Sequence, residues 1–98
     1  MKYKISQRAL QDLNDIWLYT YANWSIIQAD RYYNLILDEI ELLSQEIYNG
    51  KSRDYIKKGY RSISIKSHTV FYKISDNNVL EVVRILHKMV DIETKLNE

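Results

Sequence analysis

The chain has 98 residues, enough for one domain spanning residues 1–98 that buries roughly 60 to 70% of the surface exposed when unfolded, and too few for a second core. With 46% hydrophobic residues, two glycines and no proline, it carries no linker, low-complexity tract or internal repeat. The absence of cysteine excludes a disulfide framework and a thiolate site, two histidines argue against a dedicated metal centre, and a net charge of +1 argues against nucleic-acid binding by the domain as a whole.

No signal peptide is expected from Met1-Lys2-Tyr3-Lys4-Ile5-Ser6, and no segment reaches the roughly 20 apolar residues that span a bilayer, so a cytoplasmic protein without membrane contact is expected. Lys2 to Ile5 has the pattern of a short strand. Ser6 is placed to cap a helix, with Ala9, Leu13, Ile16, Trp17 and Thr20 on one face, Leu10 and Tyr21 widening that stripe, and Gln11, Asp12 and Asp15 opposite. Ser25 caps a second, longer helix with Ala29, Tyr32, Tyr33, Ile36, Ile40, Leu43 and Ile47 on one face. It is expected to stop at Asn49-Gly50 through a left-handed residue. A few residues around Asn23-Trp24-Ser25 join the two into an antiparallel hairpin that must bury its stripes against a sheet. Trp17 and Trp24 read as packing anchors, and the nine tyrosines as an amphipathic rim to the core.

Between positions 51 and 73 stand Lys51, Arg53, Lys57, Lys58, Arg61, Lys66 and Lys73 against Asp54 alone. The window is therefore +6 and the rest of the chain −5. It is either a solvated loop or a surface that meets an acidic partner.

Alternation from Tyr60 to Ile65, from His68 to Ile74 and from Val79 to Leu86, with turns at Lys66-Ser67 and Ser75-Asp76-Asn77-Asn78, predicts an antiparallel meander. The fold class is thus α+β: an N-terminal strand, a two-helix hairpin on an antiparallel sheet of three to four strands, and a last helical turn over Asp91 to Leu96 capped by Asp91. A two- or four-residue second loop puts His68, Val70, Tyr72 and Ile74 on one face with Val79, Glu81, Val83, Ile85 and His87. It puts Thr69, Phe71 and Lys73 on the other with Leu80, Val82, Arg84 and Leu86; a three-residue loop inverts the assignment. With the first set given to the helices, Phe71, Leu80, Val82 and Leu86 around Arg84 form an exposed apolar patch that expects a partner.

Hydrolysis of RNA would draw on Arg61, Tyr72, Arg84 and His87 for cations and proton transfer. Arg84 and His87 are three apart and point to opposite faces of a regular strand, so the set converges only if a bulge or the strand end rotates His87. His68 and His87 are otherwise strand-end histidines satisfied by backbone groups. Arg61 and Arg84 want a carboxylate, either a structural one such as Asp12 or Glu81 or one supplied by another protein. Asp15, Asp38 and Glu39 read as solvated charge.

Three blocks of residues resemble the ParE branch of the RelE/ParE toxin superfamily along nearly the whole chain. They are Ile5-Ser6-Gln7-Arg8-Ala9-Leu10-Gln11-Asp12-Leu13-Asn14-Asp15-Ile16 with Tyr19-Thr20, then Trp24-Ser25-Ile26-Ile27-Gln28-Ala29 with Tyr32 and Leu37. The third joins Gly59-Tyr60-Arg61-Ser62, Ser67-His68-Thr69-Val70-Phe71-Tyr72 and Val83-Arg84-Ile85-Leu86-His87 to Asp91. The resemblance implies a cofactor-free toxin that binds DNA gyrase and traps it with cleaved DNA. It also implies an antitoxin of ribbon-helix-helix type, encoded beside the toxin, with DNA met only through antitoxin or gyrase. Relatives of the RelE type cleave messenger RNA on the ribosome; that is the alternative, as is a non-toxic protein that only binds antitoxin. On this reading Arg61, Phe71, Leu80, Val82, Arg84, Leu86, His87 and Met89 meet the partner. The family's usual proline after the second helix is missing, and Lys88-Met89-Val90-Asp91 stands where an arginine and methionine commonly precede the aspartate.

Overall fold

The computed structural model describes residues 3–97; Lys2, the first residue of the expected N-terminal strand, lies outside them. The elements run β1 (Tyr3–Ile5), α1 (Gln7–Asn23), α2 (Ile26–Ser44), β2 (Lys51–Ser52), β3 (Arg61–Ile65), β4 (His68–Ile74), β5 (Leu80–His87) and α3 (Ile92–Leu96). Both helix starts follow from their caps: Ser6 Oγ accepts from the Ala9 N–H and Ser25 Oγ from the Gln28 N–H, each at 3.0 Å. The expected stripes are buried, with Ala9, Leu13, Ile16 and Thr20 of α1 and Ala29, Ile36, Ile40 and Leu43 of α2 turned to the core. Leu10 and Tyr21 are exposed and do not widen it.

Five strands in the order β1-β5-β4-β3-β2 make a mixed sheet, because β1 pairs in parallel with β5 and the remaining pairings are antiparallel. The expected antiparallel sheet of three to four strands is present as β2 to β5, and the expected N-terminal strand joins it as a fifth, parallel to β5. The two-residue β2 is too short to show an alternation in sequence. α2 stops at Ser44 rather than at Asn49-Gly50, and Gly50 is not the left-handed residue; Gly59, at φ 86°, is the glycine in that region. What Gly50 supplies is room, since a Cβ there would run into the Tyr72 ring.

The β4–β5 register differs from the expected one in an informative way. Ser75 N donates to Val79 O and Asn78 takes a positive φ of 59°, which makes a three-residue loop of Asp76-Asn77-Asn78. Ile74, Lys73 and Tyr72 therefore pair with Leu80, Glu81 and Val82. A bulge at Val83 then shifts the ladder by one, so that Phe71, Val70, Thr69 and His68 pair with Arg84, Ile85, Leu86 and His87. The Val83 carbonyl, displaced from regular pairing, accepts from the Ser6 hydroxyl.

Leu80 and Val82 consequently lie under the helices with Val70, Tyr72 and Ile85, in the main core. Phe71 and Leu86 face the other way but are buried as well, against Leu96 of α3, with Ile56, Tyr60, Val83, Val90 and Ile92 around them. The exposed patch expected from Phe71, Leu80, Val82 and Leu86 is absent: two of its members belong to the main core, and the chain's own C-terminal turn and basic loop cover the other two. The last turn forms as expected, with the Asp91 carboxylate accepting from Thr94 N and Thr94 Oγ1.

Candidate partner-binding surface

The four residues considered for RNA hydrolysis do not converge on one point. Tyr72, fully buried, donates its hydroxyl to Ile47 O at 2.8 Å and accepts from Gly50 N at 3.0 Å. Its cross-strand neighbour Arg61 donates to Tyr48 O and Gly50 O, so the two together staple the segment that follows α2. Arg84 makes a two-pronged ion pair with Asp12, at 2.8 and 3.1 Å, and donates to Lys95 O. Asp12 thus does not belong to a solvated helix face. Beyond the end of β1, its carboxylate also accepts the Ile85 N–H that a longer β1 would have paired.

His87 is exposed and stands opposite His68, four residues along β4 from Tyr72 and so about 13 Å away. The bulge leaves Arg84 turned toward Phe71's side and His87 toward His68's, so cations and histidine do not converge. Among the described residues no group of three or more histidines and carboxylates is placed to hold a metal ion.

A concavity of about 860 Å³ lies between the C-terminal half of α1, the start of α2, the Lys66-Ser67 turn and the end of β5. Ile16, Thr20, Leu35 and Ile85 contribute apolar wall, Tyr32 and His68 polar groups, and Tyr19, Trp24, Arg31, Lys66 and His87 also line it. Tyr32 Oη and His68 Nδ1 are 2.7 Å apart, and the His68 and His87 rings meet edge to face at 5.2 Å. Burial, and secondarily the nearby His87, lowers the His68 pKa to about 4 against a smaller opposing effect of Asp12; burial also raises that of Tyr32. Both groups are therefore neutral near pH 7.

Around this groove the helix hairpin is apolar where it is wet. Leu18, Tyr19, Tyr21, Trp24, Ile26 and Ile27 are all exposed, Trp24 at 74% and Tyr19 at 67%, which corrects the reading of Trp24 as a packing anchor. Trp17 does pack, stacking on Tyr21 at 5.4 Å and donating to Asp30 Oδ1 of α2. At the far side, Met89 is 85% exposed beside His87, whose Nδ1 accepts from the Met89 N–H. Of the eight residues expected to meet a partner, His87 and Met89 lie on the surface, Arg61 is half-buried, and Phe71, Leu80, Val82, Arg84 and Leu86 are interior. Sequence reasoning missed the hairpin tip. Its signal was present as large apolar residues that fall off the i, i+3, i+4 stripe.

A family profile described as "ParE toxin of type II toxin-antitoxin system, parDE" matches residues 3–92. A protein named Toxin ParE1 from Mycobacterium tuberculosis is 34% identical over 95 residues, covering 97% of each chain. Another of that name from Caulobacter vibrioides is 32% identical over 94 residues, covering 96% of each. A solved structure titled "Chromosomal ParDE TA system from P. aeruginosa" superposes with a TM-score of 0.78 at 18% identity, over 89% of this chain and 95% of that one, and so shares the fold.

Proposed function

The chain belongs to the ParE toxin family of type II toxin-antitoxin systems, and on that premise we propose that it inhibits DNA gyrase by binding, trapping the enzyme with cleaved DNA. The observation that carries a binding inhibitor over a nuclease is the fate of Arg61, Tyr72 and Arg84. Each is committed to hydrogen bonds within the chain, and none stands with His87 where a phosphate and a proton acceptor could meet.

The neutralising partner, on this reading, is an antitoxin of ribbon-helix-helix type encoded beside the toxin, and its toxin-binding segment covers the hairpin tip and the groove. The exposed Tyr19, Trp24, Ile26 and Ile27 support this, because large apolar side chains left in water close together in the chain, around the hairpin turn, mark an interaction surface. Aromatic anchors of this kind carry most of the energy of an interface.

The test is a supercoiling assay with purified gyrase. The expected result is loss of supercoiling with accumulation of cleaved DNA, reversed by the antitoxin. Intact supercoiling together with cleavage of ribosome-bound messenger RNA would assign the RelE-type activity instead, and neither activity would leave a protein that only binds antitoxin.

A further inference from the structure

The second surface that stands out is the edge of the sheet opposite β1. β2 is the outermost strand there, and residues 53–60 connect it to β3. From position 51 to 66 the chain places six cations against one carboxylate, Asp54, and that carboxylate is engaged in the loop itself, accepting from Gly59 N at 2.7 Å. Among the described residues, none of Lys51, Arg53, Lys57, Lys58, Arg61 and Lys66 lies within ion-pair distance of a carboxylate.

Three of these cations are instead paired with tyrosines. Arg53 Nη1 donates to Tyr55 Oη at 2.6 Å, Lys57 Nζ lies 5.6 Å from the centre of the Tyr60 ring, and the Arg61 guanidinium lies 5.6 Å from that of Tyr48. Tyr48 and Tyr55 are 67% and 69% exposed. The loop that carries them is also built rather than slack. Arg53 N donates to Tyr60 O, Lys57 N to Arg53 O and Tyr60 N to Lys57 O, Gly59 adopts the left-handed turn, and Ile56 is anchored in the small core. The ordering cost of presenting these side chains is therefore already met in the free protein.

We propose that this edge, comprising Tyr48, Lys51, Tyr55, Lys57 and Lys58, is a binding surface for single-stranded nucleic acid. Lysines with no carboxylate beside them neutralise the phosphate backbone, and exposed tyrosine rings offer stacking platforms to bases that are not in a duplex. An acidic protein segment would satisfy the lysines but gives no reason for the interleaved exposed rings. Contact of this kind is direct, beyond the indirect contact with DNA expected through antitoxin or gyrase, and it does not require gyrase to be the target.

The experiment is a fluorescence-anisotropy titration of the full chain against a labelled single strand of about 12 nucleotides, a size in the range such sites occupy. A duplex of the same sequence and a polyglutamate peptide serve as competitors, between about 50 and 200 mM salt. Tighter binding of the single strand is expected, with Tyr55→Ala weakening it roughly tenfold. The combined Lys51→Ala, Lys57→Ala and Lys58→Ala variant should reduce the slope of log affinity on log salt by about 2. Lys58→Glu alone, a single change in an exposed loop residue, should shift affinity in the same direction and guards against loss of folding in the triple variant. The proposal is overturned by the absence of binding at about 50 mM salt, by an unchanged salt slope in the triple variant, by duplex binding as tight as single strand with no effect of Tyr55→Ala, or by preferential binding of polyglutamate.

Discussion

Arg84 and Tyr72 in the sheet are polar groups sunk into the molecule with every bond they need supplied from within, by Asp12, Lys95, Ile47 and Gly50. At the tip of the helix hairpin the situation is reversed: Tyr19, Trp24, Ile26 and Ile27 are apolar groups held in water with little to cover them. The contrast separates residues that hold the chain together from residues whose apolar surface the fold leaves unused. Residue type alone misleads here, because the arginines and tyrosine that resemble a catalytic set are the staples.

The sharpest way to break the comparison is through Asp12. Asp12→Ala removes the two-pronged carboxylate partner of the buried Arg84 and leaves Ile85 N–H without its acceptor, and is expected to cost about 3 to 5 kcal/mol in a urea denaturation measurement. A loss well under 1 kcal/mol would mean that Arg84 is not a structural residue. Tyr72→Phe, which removes one donor and one acceptor between β4 and the segment after α2, is expected to cost about 1 to 3 kcal/mol by the same measurement.

A smaller, pH-dependent effect belongs to His68. Its pKa in the folded chain, about 4, lies below the 6.5 of the unfolded chain, so the unfolded state takes up the proton first. This contribution to stability is intact above pH 6.5 and is lost as pH falls toward 4; thermal melts across that window should show it, and His68→Gln should flatten it. The smallest change in stability is expected at the tip. Trp24→Ala should alter unfolding free energy by no more than about 0.5 kcal/mol, since the ring is mostly in solvent.

The helices were legible because capping and periodicity are local: Ser6, Ser25 and Asp91 each cap where their hydroxyl or carboxylate predicts. The Lys66-Ser67 turn was legible for the same reason. The faces of β5 were not. Leu80, Val82, Val83, Ile85 and Leu86 are apolar on both sides of the strand, so alternation cannot fix a register, and the three-residue loop and the Val83 bulge each shift it by one. Ahead of the bulge the three-residue-loop expectation holds, and after it the even-loop expectation holds. The second core under Phe71 and Leu86 depends on α3 folding back, a long-range event that no local pattern announces.

The central claim, that the hairpin tip and its groove form the surface the partner covers, is tested most directly by titrating the cognate antitoxin into wild-type chain and the Tyr19→Ala, Trp24→Ala double variant by calorimetry. The account predicts a loss of affinity of at least about tenfold, with the melting temperature of the free variant unchanged. Equal affinity for the two proteins would contradict it.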